Sequence, residues 1–177
     1  FFECAVEQDY ASLALFSLNK YLDKSLHYVE DIIKNPTFPK DEFDIYISTG
    51  GPGNPLIGDG NWDTKYYEFI DALSKWNTEN SVKKHVLFIC HSFQMACKHF
   101  GLAEITKRHD TSFGVMTVHK TKDGQTDPLF EGLADPFYAI DSRDYQVVQP
   151  HLSVFSQKGH KIISLEKIRD HVQYERA

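Results

Sequence analysis

A chain of 177 residues with 41% hydrophobic and 25% charged side chains has the size and composition of one globular domain that buries a sizeable core. Its net charge of -6, with no basic cluster beyond Lys83-Lys84 and Lys107-Arg108 (both read as solvated strand flanks), argues against nucleic acid as the main partner, since phosphate binding needs a concentrated cationic surface. Three cysteines, odd in number and without a Cys-x-x-Cys pair, form neither a disulfide framework nor a zinc site and suit a reducing cytoplasm; no apolar run approaches the roughly 18 residues of a membrane span, and no signal peptide is recognised.

In chain order, Phe1–Val6 is predicted as a first strand. Asp9 is placed as an N-cap for a helix over Ala11–Leu22, with Leu15, Leu18 and Leu22 at helical spacing. Leu26–Ile33 is expected to be a second strand, and Phe43–Ile47 a third that breaks into Thr49-Gly50-Gly51-Pro52-Gly53. Asp63 to Trp76 reads as helix, with Tyr66, Phe69, Ile70 and Leu73 on one face. Trp62, Tyr66 and Tyr67 serve either as core packing or as the roof of a small pocket. Val86–Ile89 is expected to be a central strand that ends at Cys90, and helical periodicity starts at once with His91. Cys97, two turns along that helix, reads as a core thiol. From Ser112 the pattern changes to short strands between turns, with Thr121-Lys122-Asp123-Gly124 as a hairpin turn and Leu152–Gly159 as a further hairpin. Strands alternating with helices across short joins predict an α/β fold, an open and mostly parallel sheet flanked by helices.

Two features carry chemistry. A cysteine at a sharp strand-to-helix turn is aimed out of the sheet edge, beside a helix N-terminus whose partial positive charge favours the thiolate. The glycine-rich loop allows backbone N–H groups to converge on an anion, as an acyl-transfer reaction requires where charge develops on the attacked carbonyl oxygen. Alone, Cys90 reads as a buried structural thiol and the loop as an ordinary Gly-Pro turn. Together they are far more specific.

On these residues the chain resembles the class I (triad-type) glutamine amidotransferases, close to the amidotransferase domain of GMP synthase and its stand-alone relatives. Thr49-Gly50-Gly51-Pro52-Gly53 matches their oxyanion loop. Phe88-Ile89-Cys90-His91-Ser92-Phe93-Gln94 is similar to their Gly-x-Cys-x-Gly-x-Gln, with Phe88 and Ser92 in place of the two glycines. Gly114 to Val118 and then Asp127 to Leu133 fit the segments that follow. Ser142-Arg143-Asp144-Tyr145-Gln146-Val147 falls where the family often has Ser-His-Gly-Asp-x-Val, with agreement at Ser142 and Val147. The likeness runs from about residue 43 to about residue 150.

The resemblance implies a flavodoxin-like sheet and glutamine hydrolysis. Cys90 would attack the side-chain amide of L-glutamine, release ammonia and leave a glutamyl thioester for water to clear. Backbone N–H groups of Gly51 and His91 would hold the oxyanion. Gly50, Gln94, Ser142, Arg143, Asp144 and Tyr145 would hold the substrate, with Arg143 standing where the family often has histidine. No cofactor or metal is implied; a separate synthetase or acceptor subunit would take the ammonia. The family's late His-x-Glu, which supplies the base, does not occur; the expectation is a single domain over residues 1–177 without the C-terminal strand that carries it. Among the other histidines, His151 and His171 come nearest to a replacement. Two other readings stay open: another cysteine acyltransferase or a gamma-glutamyl hydrolase on the same scaffold, and a non-catalytic binding or regulatory module.

Overall fold

The computed structural model describes residues 43–51 and 53–166, so the elements expected over residues 1–6, 11–22 and 26–33, and the tail with His171, lie outside the described residues. The chain divides into two compact units, Phe1–Phe93 and Gln94–Ala177.

In the first unit, β1 (Ile45–Ser48) pairs in parallel with β2 (His85–Phe88), with Tyr46 opposite Val86 and Ser48 opposite Phe88. Helix α1 (Trp62–Glu79) joins them, as a parallel pair requires a crossover of a dozen or more residues. It buries Tyr66, Ile70 and Leu73, and Phe69 meets Tyr46 edge-on at 5.4 Å. Of the four positions expected on one face, Tyr66, Ile70 and Leu73 are buried and Phe69 is half-buried, as their recurrence every three to four residues requires. The helix begins one residue earlier than expected because Asp59 accepts from the Asn61 and Trp62 N–H groups at 2.8 and 3.2 Å, while Asp63 accepts from Gly60 N–H at 2.8 Å. At its far end Lys83 Nζ donates to the Asn77 and Asn80 carbonyls at 2.5 and 2.6 Å, a cation on the negative end of the helix. Lys84 is not solvated. It is 6% exposed, lies 4.7 Å from the centre of the Trp76 ring and donates to Phe43 O at 2.8 Å.

Helix α2 (His91–His99) starts in the first unit and continues into the second. In the second unit the expected run of short strands is instead one long strand, β3 (Glu104–Lys120), antiparallel to β4 (Phe137–Val148) with a register shift between Lys107 and Ser112. Strand β5 (Ser164–Glu166) adds antiparallel to the end of β3, giving the order β4-β3-β5. Among the described residues the parallel expectation therefore holds for β1 and β2 alone. Residues 121–136 contain a turn and a 3-10 turn (Pro128–Phe130) but no helix, so the chain reverses. Thr121–Gly124 does turn, without joining paired strands directly. It grips the approach to β5: Thr121 N–H and Oγ1 donate to Ile163 O and Ile162 O at 3.0 and 2.6 Å. A Cβ on Gly124 would lie 1.8 Å from Ile163 O, so only glycine permits the approach. Residues 152–159 are not a hairpin. Helix α3 (Leu152–Lys158) ends on Gly159 at φ 68, and His160 N–H donates to Phe155 O at 2.9 Å; glycine following a short apolar stretch was the missed stop signal.

Candidate nucleophile elbow and glycine-rich loop

The parallel pairing runs out where the Ile89 N–H donates to Ser48 O at 2.9 Å. Cys90 follows with φ 54, a left-handed conformation that is uncommon outside glycine and costs on the order of 1–3 kcal/mol. Helix α2 then starts at His91. The thiol is half-buried at the junction of a strand end and a helix start.

Ser48 ends β1, and the glycine-rich loop begins within two residues. Gly53 has φ 132, and a Cβ built on it would meet His91 Nε2 at 3.6 Å. The loop at Gly53 and the elbow at His91, distant in sequence, are thus side by side. The His91 ring also lies 6.5 Å from the Trp62 ring at a tilt of 36°, and its Nε2 is buried without a hydrogen-bond partner among the described residues. Burial lowers its pKa from the ordinary value of 6.5, so the imidazole is held neutral. Gly51 has open space where a Cβ would be; its role in the family-like scheme is a matter of its backbone N–H.

A hydroxyl cluster ties these segments together. Ser92 Oγ donates to Ser48 O at 2.6 Å and accepts from Ile89 N–H at 3.0 Å. Ser48 Oγ and the Tyr66 hydroxyl are 2.7 Å apart. Burial pushes the Tyr66 phenol up to about 12, against the opposing pull of its hydrogen bonds to Ser48 and Ser92. Sequence reasoning missed this cluster. Its signal in the sequence is Ser92, a hydroxyl where the resembled family has glycine.

In the second unit, Gln94 is 3% exposed and its Nε2 donates to Tyr145 O at 3.1 Å, so two of the expected substrate-binding residues are in direct contact. Asp144 accepts from Thr111 Oγ1 at 2.5 Å. Ser142 lies opposite Phe113 in the β3–β4 register. Arg143 is engaged within the protein: its guanidinium reaches Asp141 at 2.9 Å and Glu166 at 3.0 Å. Arg108 lies 3.6 Å from Glu166, and Ser112 Oγ donates to Asp141 at 2.6 Å. These form a largely buried ionic cluster across β3, β4 and β5. His151 Nδ1 lies 2.8 Å from Gly101 O, and its N–H donates to Leu102 O, a structural engagement. Among the described residues no three His, Cys, Asp or Glu side chains group as a metal site, and no helix is long and apolar enough to cross a membrane.

No family model matches the sequence, and no curated protein matches it. Among solved structures the chain is similar to a glutamine amidotransferase from Thermotoga maritima, with a TM-score of 0.58 and 16% identity over 77% of this chain and 56% of that one. A second structure, that of SMU.1228c, gives a TM-score of 0.48 at 19% identity, over 64% of this chain and 48% of that one. The chain thus spans a little over half the length of the amidotransferase it matches. That likeness establishes a shared α/β fold, in line with the class I amidotransferase resemblance.

Proposed function

We propose that this chain carries the nucleophile and oxyanion loop of a glutamine-hydrolysing enzyme, with ammonia as the product passed on. The observation that carries the reading is Cys90 at φ 54 between a parallel strand and a helix, with a glycine-rich loop packed against the next residue. Strain at a cysteine in that setting fits a nucleophile presented by its backbone.

In the proposed reaction the Cys90 thiolate forms a bond to the side-chain amide carbon of glutamine. The carbonyl electron pair moves to oxygen, which the Gly51 and His91 N–H groups receive. Collapse expels the amine, which leaves as ammonia after taking a proton, and a glutamyl thioester remains. Water adds to the thioester and releases glutamate and the thiol. Gln94 and the residue 142–145 segment would hold the α-amino and α-carboxylate groups; with Arg143 committed to Asp141 and Glu166, that contact falls to Gly50, Gln94, Ser142, Asp144 and Tyr145. The proton transfers need a general base, which the family places in a His-x-Glu that this sequence lacks. The natural setting proposed is the cytoplasm, with a separate acceptor subunit.

The test is covalent trapping of the full-length protein with a diazo-ketone analogue of glutamine, with the adduct located by peptide mass spectrometry. A single adduct on Cys90, blocked by excess glutamine, is expected. Absence of that adduct, while a general thiol reagent still reaches Cys90, overturns the reading.

A further inference from the structure

We infer that the Ser92 hydroxyl, backed by Tyr66, is a positioning group that fixes the spacing between Cys90 and the glycine-rich loop. The inference rests on the reading of Cys90 as the nucleophile and names a residue that reading does not use.

One carbonyl sits at the centre. Ser48 O, the last of β1, accepts from Ile89 N–H at 2.9 Å and from Ser92 Oγ at 2.6 Å. Ser48 is two residues before Gly50; Ile89 is the residue before Cys90. The end of the loop-bearing strand and the peptide that enters the elbow are therefore joined through one atom, and Ser92 reaches it from the helix that follows the elbow. Ser92 Oγ also accepts from Ile89 N–H at 3.0 Å and lies 3.1 Å from Ile89 O, to which the Ser92 N–H donates at 3.3 Å. A hydroxyl has one proton and two lone pairs. The shorter contact, to Ser48 O, takes the proton and leaves lone pairs for Ile89 N–H and the Tyr66 hydroxyl.

Both sides of the strained residue are thereby held. The Ile89 peptide cannot rotate to relax φ at Cys90 without breaking bonds to Ser92, and Ser92 cannot shift along α2 without releasing Ser48. A strained conformation persists only when its surroundings over-determine it. Ser92 is 4% exposed and Tyr66 7% exposed, so water does not replace these bonds when one is removed. Tyr66 anchors the cluster to α1 through Ser48 Oγ at 2.7 Å. The result is a three-element joint beneath the loop and the thiol, made of β1, α1 and the start of α2.

A positioning role is separable from general stability because misplacement of reacting groups lowers turnover more than substrate affinity. Ser92→Ala removes only the hydroxyl; Ser92→Thr keeps it. With the full-length protein, Ser92→Ala is expected to lower kcat for glutamine by about 10- to 100-fold with KM within about twofold, Ser92→Thr to recover most of the loss, and Tyr66→Phe to fall between. Amide hydrogen exchange is expected to speed up at Ile89 and at Gly50 and Gly51 in the Ala variant, not in the Thr variant. Unchanged exchange at those three amides in Ser92→Ala, or an equal loss of turnover in Ser92→Ala and Ser92→Thr, overturns the inference. The glutamine reading fails separately: if the unaltered protein neither turns over glutamine nor takes the diazo-ketone label, the exchange data, together with the rate of Cys90 alkylation by iodoacetamide, still decide for or against the joint. Tyr66→Phe, which leaves Ser92 in place, covers the case in which Ser92→Ala does not fold.

Discussion

At Cys90 the backbone carries a cost that the side chain alone would not reveal. A φ of 54 is natural for glycine and unfavourable for cysteine, so Cys90→Gly should gain about 1 kcal/mol of stability in urea melts, less the extra chain entropy glycine brings to the unfolded state. The same variant should take no diazo-ketone label. Gain of stability with loss of labelling would mark the residue as kept for chemistry; loss of stability would show that thiol packing outweighs the strain. Gly53 presents the converse. Its φ of 132 lies outside ordinary side-chain territory, while the His91 contact at 3.6 Å is of ordinary van der Waals length, so the cost of Gly53→Ala comes from the backbone. A loss of about 1–2 kcal/mol is expected by thermal melting. Both positions were legible in the sequence, because a glycine-rich break and a cysteine between strand and helix are local signals. The hydroxyl cluster was not, since Ser48, Tyr66 and Ser92 meet only after the fold brings three elements together.

Arg143 takes its meaning from the elements around it. The ionic cluster on β3, β4 and β5 joins Arg143 to Asp141 and Glu166 and sets Arg108 near Glu166, with the Arg108 and Glu166 side chains only 6% and 7% exposed. Removing one partner of a buried ion pair leaves the other charge uncompensated. Arg143→Met should therefore lower stability by about 3–5 kcal/mol, read from urea unfolding. A stable variant that instead binds glutamine poorly would return the arginine to the substrate. Position 143 was recognised in the sequence as a departure from histidine, but Glu166 lies 23 residues further on and no local pattern connects the two. Helix α3 shows the limit from another side. Residues 152–158 have no capping side chain at their start, and the stretch is too short for a full apolar stripe, so the decisive cue was Gly159 at φ 68. Gly159→Ala should cost about 1 kcal/mol, measurable as a lowered Tm.

Among the described residues, burial of Cys97, Tyr66 and His91 makes stability respond to pH. The unfolded chain loses the Cys97 and Tyr66 protons near 9.0 and 10.0, whereas burial holds both in the folded protein to about 12. Between those values the folded state binds more protons, so the contribution of these two groups should be full below pH 9, be lost as pH rises and level off past about 12. At the acid end the His91 pKa is lowered from 6.5 by burial; the unfolded state then binds more protons, and stability should decline as pH drops below 6.5. Urea melts across pH test this, with Tyr66→Phe and Cys97→Ala expected to flatten the alkaline limb and His91→Asn the acid one. Composition and alternating elements foretold an α/β chain, and β1, α1 and β2 follow that reading closely. The antiparallel half escaped it because β3 pairs with residues as far off as Glu166. The two described cysteines also differ in accessibility: Cys90, just before α2, is half-buried, and Cys97, within α2, is 4% exposed. A small alkylating reagent should reach the first in the native state and the second only when α2 opens. With Cys90 already blocked, the slow reaction of Cys97 becomes a built-in clock for that opening. A ligand that tightens the elbow should slow the clock, so binding could be scored by mass alone even if the ligand is never turned over.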